Sequence, residues 1–208
     1  KGEFQGFGFS GLHGKTPNFN TAAFDGTAFV PATASSKLNY FEVDGYFVRG
    51  DVTVMGQLDF GRQDKAAFNG GNAQWFGASA IGAYKFAPRN EGILRVDYLD
   101  NNKNGGGTPN VAIAGCDDVA DPATCFVGDS LNGFGPDPAG DPNRGAKRMA
   151  YTLGYNYNLN QNTLLKFELR HDRADIPVFI DKDGVSTKSN RSSAIEMNFP
   201  GMTTPRSG

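Results

Sequence analysis

Few side chains in this 208-residue sequence stand at spacings that chemistry would use. Gly6-Phe7-Gly8-Phe9-Ser10-Gly11 matches G-x-G-x-x-G letter for letter. A dinucleotide site needs a strand before that turn and a helix after it, so that a helix N-terminus meets the pyrophosphate. Leu12-His13-Gly14-Lys15-Thr16-Pro17 follows instead, and glycine-spaced aromatics in a strand are the simpler reading. Asp181-Lys182-Asp183-Gly184 matches the opening of a Ca²⁺ loop, but the third acidic position and the closing Glu are absent. Asp-Gly at a hairpin tip explains it. Arg49-Gly50-Asp51 imitates an adhesion tripeptide and reads as a tight turn. His13 and His171 fall at the ends of two strands, with nothing to bring them to one metal ion. No Ser–His–Asp or Cys–His arrangement has supporting context, so no enzymatic activity, resident cofactor or metal centre is expected.

The stretch 101–146 is rich in Asp, Gly and Pro. Asp117, Asp118, Asp121, Asp129, Asp137 and Asp141 face only Lys103, Arg144 and the adjoining Lys147. A solvated acidic loop is the plain reading, and a surface Ca²⁺ site is the alternative. Cys116 and Cys125 lie nine positions apart within it. Zinc would need two more ligands nearby, which are lacking, so a local disulfide in an oxidising compartment is expected.

The remaining chemistry lies in alternation. Leu165-Lys166-Phe167-Glu168-Leu169-Arg170 places a charge at every second residue. Val52 to Phe60, Met149 to Leu159, Leu94 to Tyr98, Phe41 to Phe47 and Ile195 to Phe199 repeat the pattern with polar or charged alternates. Period two marks strands with one apolar and one wet face. About eight strands are predicted, near 3–13, 38–49, 52–62, 74–87, 92–100, 147–159, 163–173 and 191–199. The connections alternate strictly between long (14–37, 63–73, 101–146, 174–190) and short (49–51, 88–91, 160–162). In an up-and-down meander every short turn then lies at one end.

Composition agrees. Gly is 28 of 208, about twice its usual share of roughly 7%. Phe is 17 and Tyr 7, which suits a thin apolar band better than a thick core. No run of AVILMFWYC residues exceeds four, so no transmembrane helix can be drawn. Twenty basic against 22 acidic residues leave a net charge of −2, without the basic surplus that nucleic acid requires. The fold class expected is therefore all-β: an antiparallel up-and-down transmembrane β-barrel with long extracellular loops and short periplasmic turns. It would occupy residues 1–199, with 101–146 as its largest extracellular loop and 200–208 as a C-terminal tail. Phe47, Phe86, Tyr157 and Phe199 at short-turn ends, with Phe60, Phe76, Tyr98 and Tyr151 toward long-loop ends, suit two interfacial aromatic rings.

The stretches Arg95-Val96-Asp97-Tyr98-Leu99-Asp100-Asn101-Asn102-Lys103-Asn104-Gly105-Gly106, Asn132-Gly133-Phe134-Gly135-Pro136-Asp137 and Leu165 to Arg173 resemble a family of porin-like outer-membrane proteins of β-proteobacteria. The resemblance covers mainly 75–199. It implies a bacterial outer-membrane location, and it implies that this chain corresponds to the C-terminal part of a larger barrel. A final alternating strand ending in Phe199 resembles the signal read by the barrel-assembly machinery. Porin-like proteins are often trimers, so a homo-oligomer stays open.

With the apolar alternates in lipid, Glu42, Asp44, Gln57, Asp59, Lys85, Arg95, Asp97, Lys166, Glu168 and Arg170 face the lumen. Lys or Arg on the lipid face would cost about 2–4 kcal/mol at the midplane, which sets this orientation. Within their strand, Lys166, Glu168 and Arg170 are expected to form a ladder with the carboxylate between two cations. The functional expectation is a porin-like channel for passive diffusion of small hydrophilic solutes. A closed barrel serving as structural anchor or surface-interaction protein is the alternative. A soluble lipocalin-like barrel, with the apolar face inward, is a further one.

Overall fold

The computed structural model describes residues 3–17, 23–24, 29–30, 35–67, 69–106, 114–116, 125–126, 137, 141 and 143–198. Eight strands form one antiparallel sheet: β1 (Glu3–Pro17), β2 (Ser35–Arg49), β3 (Val52–Gln63), β4 (Ala73–Ala87), β5 (Asn90–Asp100), β6 (Lys147–Asn160), β7 (Thr163–Ala174) and β8 (Ser189–Asn198). Each strand pairs with its neighbours in the chain, so the sheet is a pure meander. Among the described residues no helix forms. All eight expected strands are present, and β1 and β2 run further at the long-loop end than alternation suggests. The reason is that Lys15↔Lys37, Thr16↔Ser36 and Pro17↔Ser35 continue the backbone ladder after the apolar residues stop.

Three two-residue turns close the short end. Arg49 pairs with Val52 around Gly50-Asp51, and Gly50 takes φ +60 at the first central position, as a type II′ turn requires. Ala87 pairs with Asn90 around Pro88-Arg89, and Asn160 with Thr163 around Gln161-Asn162. A bulge beside each of the last two turns leaves Phe86 and Leu159 outside the ladder. Neighbouring turns are tied together, the Lys85 amide donating to the Asp51 carbonyl and the Asn158 amide to that of Arg89, both at 2.9 Å.

Register sorts the side chains onto two faces. Phe9, Val43, Leu58, Ala78, Tyr98 and Met149 follow one another across the sheet on one side, as do Leu94, Leu153 and Leu169 nearer its middle. The usual relation between polarity and exposure is inverted. From Ser35 to Val43 exposure alternates strictly, with Phe41 and Val43 exposed and Tyr40 and Glu42 half-buried. On β6, Leu153 is 60% exposed while the intervening Ala150 and Thr152 are 1% and 6% exposed. The charged face is thus the more enclosed one. Each large apolar side chain buried is worth about 1.5–3 kcal/mol, so a face carrying Phe7, Phe9, Leu94, Leu153, Leu169 and Ile195 in the open is a large uncovered apolar surface.

Glycines shape the charged face. Gly6, Gly8, Gly61, Gly77 and Gly154 stand directly opposite Tyr46, Asp44, Trp75, Asp59 and Ile93. In each pair the partner side chain lies over the space that a Cβ on the glycine would fill. The large residue folds down along the wall instead of projecting from it. The G-x-G-x-x-G match is explained here, because Gly6 and Gly8 receive Tyr46 and Asp44 while Phe7 and Phe9 point to the opposite face.

Among the described residues, buried apolar clusters occur only at the long-loop end of the sheet. Ala146, Ala174, Ile176, Val178 and Phe179 form one; Ala66, Ala67 and Ala73, with Trp75 against them, form another. The two arms of the 101–146 connection are stapled at their base. The Asn101 amide donates to the Ala146 carbonyl at 3.0 Å, and the Gly145 amide to that of Asn102 at 2.9 Å, with Lys103 bridging Arg144. Short ribbons too brief to show periodicity decorate the long connections: Ala23–Phe24 with Phe29–Val30, Ala114–Cys116 with Cys125–Phe126, and Phe179–Ile180 with Ser186–Thr187. Among the described residues β1 and β8 do not pair with each other, so the sheet is open and not a closed eight-stranded barrel.

Trp75 is the chain's single tryptophan, so fluorescence reports on its surroundings alone, the Gly61 contact and the Ala66, Ala67 and Ala73 cluster. Gly61→Val should displace the indole, red-shift its emission and destabilise the fold by about 1–3 kcal/mol. Gly56→Ala, whose added methyl meets nothing closer than 3.7 Å, should leave emission and stability nearly unchanged.

Candidate functional site: the charged face of the sheet

All ten residues expected to share one face do so in the observed register. Glu42 is opposite Asp59, Asp44 opposite Gln57, and Gln57 opposite Ser79. Lys85 is opposite Glu91, Asp97 opposite Ser79 and Ala150, and Arg95 opposite Ile81 and Thr152. Lys166, Glu168 and Arg170 pair with Asn156, Gly154 and Thr152 on the same side.

The register also gathers acidic residues on one part of the face and ion pairs on the other, which strand-by-strand reading does not reveal. Over β2 and β3 the face is acidic, with Glu42, Asp44 and Asp59 clustered and Glu42 directly across from Asp59. Like charges directly opposite destabilise a sheet, so this patch is tolerable only against water or a cation. The Tyr40 hydroxyl donates to Glu42 Oε2 at 2.8 Å, and Asp44 and Asp59 lie flat over Gly8 and Gly77.

Over β5 to β7 the face carries arginines gathered around one carboxylate. Arg95 and Arg170 flank Thr152 in one cross-strand row. Asp97 Oδ1 accepts from Ser79 Oγ at 2.6 Å and from Arg95 Nε at 2.8 Å, while Asp97 Oδ2 lies 4.0 Å from Arg170 Nη1. Arg170 is held in a two-pronged grip by Asp172, at 2.9 and 3.0 Å. Planar guanidinium against carboxylate fixes orientation as well as charge.

The ladder expected within β7 is not what forms. Lys166 reaches across to Glu196 at 3.7 Å, and Arg170 turns to Asp172 and Asp97. Lys166 follows register, since a cross-strand neighbour stands closer than a same-face neighbour along the strand, whereas Arg170 keeps Asp172 two positions along β7 and adds Asp97 across the sheet. Asp172, Glu196, Ser79, Thr152 and Glu91 are thus members of this face that the sequence reading missed. Parity within β7 and β8 could have supplied the first two.

Other singled-out residues lie elsewhere. Asp181 spends its carboxylate on the backbone amides of Asp183 and Val185, both at 2.9 Å, and Gly184 takes φ +79 at the hairpin tip. His13 and His171 fall on the apolar face, on β1 and β7, and His13 Nδ1 contacts Asn39 Oδ1 at 2.7 Å. Asp137 Oδ2 stands 3.7 Å from Arg144, and Asp141 Oδ1 accepts the Asn143 amide at 2.9 Å. Asp117, Asp118, Asp121 and Asp129 lie outside the described residues, as do Phe199 and the tail 200–208. No group of three or more metal-ligating side chains occurs among the described residues. The backbone register sets Cys116 opposite Cys125.

The apolar face carries two aromatic rows. Phe60 and Phe76 approach to 4.9 Å between ring centroids, and Phe76 and Tyr98 to 6.1 Å, near the long-loop end. Phe86, Tyr155 and Phe167 follow at 6.4 and 6.0 Å near the short-turn end. Phe76 and Tyr84 on β4 are eight positions apart, roughly 27 Å along the strand.

Asp97 is the hub whose loss should be felt. Asp97→Asn is expected to destabilise the sheet by about 1 kcal/mol, a charge-assisted bond discounted because Arg95 is half exposed. Asp59→Asn should be neutral or slightly stabilising, since it removes a repulsion with Glu42. Denaturant midpoints of the two variants check both signs.

No curated protein sequence matches the chain. Among solved structures, OmpTdeltaL8, a loop L8 deletion mutant of OmpT, an outer membrane protein of Vibrio cholerae, is similar at 13% sequence identity and a TM-score of 0.49. The alignment covers 93% of this chain and 49% of that one, so this chain spans about half its length. A family profile described as "Protein of unknown function (DUF3138)" matches residues 8–199, nearly the whole strand region, and the chain belongs to that family.

Proposed function

We propose that this chain forms the wall of a bacterial outer-membrane channel, wider than eight strands, that passes small hydrophilic solutes by passive diffusion. The inverted exposure of the sheet carries this reading: the apolar face is the open one and the charged face the enclosed one. A barrel in lipid has that polarity, with an apolar band outside and a polar lumen. A lipocalin-like barrel would have the reverse. The two aromatic rows stand at a separation that suits the two interfaces of a band about 25 Å tall.

The open edges support a wider barrel over a closed anchor. Unpaired strand edges are not tolerated in hydrocarbon, so β1 and β8 require further strands, from this polypeptide or another copy. A closed eight-stranded barrel fills its interior with side chains. Here the flattened partners of Gly6, Gly8, Gly61 and Gly77 keep the charged face low, as a water-filled lumen wants. The long connections would lie outside the cell and the short turns in the periplasm, after insertion by the barrel-assembly machinery. The pore-lining set is Glu42, Asp44, Gln57, Asp59, Lys85, Arg95, Asp97, Lys166, Glu168 and Arg170. No catalytic step and no cofactor belong to this reading.

Planar-bilayer conductance tests it. The purified protein should migrate differently in SDS before and after boiling and should conduct ions. Glu168→Lys adds two positive charges near Lys166 and Arg170, within a Debye length of roughly 8–10 Å of permeating ions. Anion preference should rise on the order of twofold with assembly intact. An assembled barrel without conductance would favour the anchor. A chain that is soluble without detergent and shows no boiling shift would remove the membrane reading.

Cys116 and Cys125 are proposed to form a disulfide in the outer loop. Antiparallel partners have Cα atoms about 4.5–5.5 Å apart, within the span a disulfide bridges. Mass spectrometry of non-reduced protein should find the linked peptides. Cys116→Ser should loosen the loop locally, by roughly 2–3 kcal/mol, and leave the sheet assembled.

A further inference from the structure

The apolar face carries cations that no described residue neutralises. Lys15, Lys37, Arg173 and Arg191 stand on it at the long-loop end, and among the described residues none of them forms an ion pair. Lys15 lies directly opposite Lys37, a like-charge pairing that costs stability. Arg173 pairs with Met149 and Ser189, and Arg191 with His171, which makes the two arginines diagonal neighbours. The nearby carboxylates are already engaged. Asp64 meets Arg62 at 3.5 Å, Asp100 meets Lys147 at 3.2 Å, and Asp175 meets Arg144 at 3.5 Å. At the short-turn end of the same face Arg49 is matched by Glu3 at 2.7 Å. The unpaired cations on this face thus gather at the long-loop rim, on a chain whose net charge is −2.

Directly beside that rim, toward the middle of the sheet, runs a groove of about 510 Å³. Leu94, Tyr151, Leu153, Leu169, His171 and Arg191 line it. It is apolar along its floor and basic at its mouth. We infer that Arg173 and Arg191 bind the phosphate of an anionic lipid whose acyl chain lies in this groove between Leu153 and Leu169. The inference rests on the reading that the apolar face meets a bilayer. Guanidinium forks match phosphate oxygens two at a time, and an anionic headgroup at the interface is the one partner that supplies both negative charge and hydrocarbon here. Tyr151 stands at the junction, where an aromatic with a polar tip is favoured. The leaflet at the long-loop end is thus the phosphate-rich one.

The test uses the full chain in phosphatidylcholine vesicles containing roughly one-fifth phosphatidic acid, extracted gently and analysed by native mass spectrometry. The wild type should retain phosphatidic acid over phosphatidylcholine. The double variant Arg173→Gln, Arg191→Gln should retain about thirtyfold less, as two cations near a charged surface imply. Arg49→Gln, at the opposite rim, should retain as much as the wild type. Equal retention by the double variant, or an equal loss in Arg49→Gln, would overturn the site. Failure of the wild type to insert, seen as unchanged migration of unboiled protein, would overturn the membrane reading itself. Insertion with retention of neither lipid would overturn the lipid site alone.

Discussion

Everything in this molecule depends on the register of one hydrogen-bonded ladder. Side chains alternate with period two, so a slip of one residue between any two strands would carry a whole row of charges onto the apolar face. The bulges left by Phe86 and Leu159 beside two of the turns are absorbed without disturbing that alternation. Gly50 accepts a backbone angle that lets β2 return as β3 with Arg49 facing Val52. Stability is thereby delegated to backbone pairing, because among the described residues the sheet builds no buried core over its middle. The small clusters around Phe179 and around Ala67 stiffen only the connections at one end.

That division of labour explains why so much of the fold was legible in the sequence. Leu165 to Arg170 shows its two faces without reference to any other strand, and the same holds for Val52 to Phe60. The alternation of long and short connections conveys the meander. Which residues meet across the sheet was not legible, since pairing depends on where each turn places its first rung. Lys166 finding Glu196 and Arg170 finding Asp97 follow from register, whereas Asp172, two positions beyond Arg170, was within reach of the spacing along β7. The paired roles of Gly61 with Trp75 and Gly77 with Asp59 were hidden for the same reason. The ends of β1 and β2 were hidden because polar residues there continue a ladder whose side-chain pattern has already stopped.

The charged face is uneven. Over β2 and β3, Glu42, Asp44 and Asp59 stand on it without a cation among the described residues, so that part holds an uncancelled negative field. Over β5 to β8, Arg95, Lys166 and Arg170 are matched by Asp97, Glu196 and Asp172, and opposite charges cancel there within a few ångströms. Glycine contributes by letting bulky partners lie down, which keeps the polar layer thin.

The stapled base of the 101–146 connection has an architectural consequence. Asn101 with Ala146 and Asn102 with Gly145 hold the two arms together before the intervening chain begins. The space a Cβ at Gly145 would need is taken by backbone of Asn101 and Gly105, so the arms lie too close for anything larger. Strand spacing between β5 and β6 is therefore set below the staple, independently of the length or composition of what hangs above it. Such a stem is a grafting point: the surface this protein shows to its surroundings can be rewritten by insertion, deletion or drift while the wall beneath keeps its dimensions.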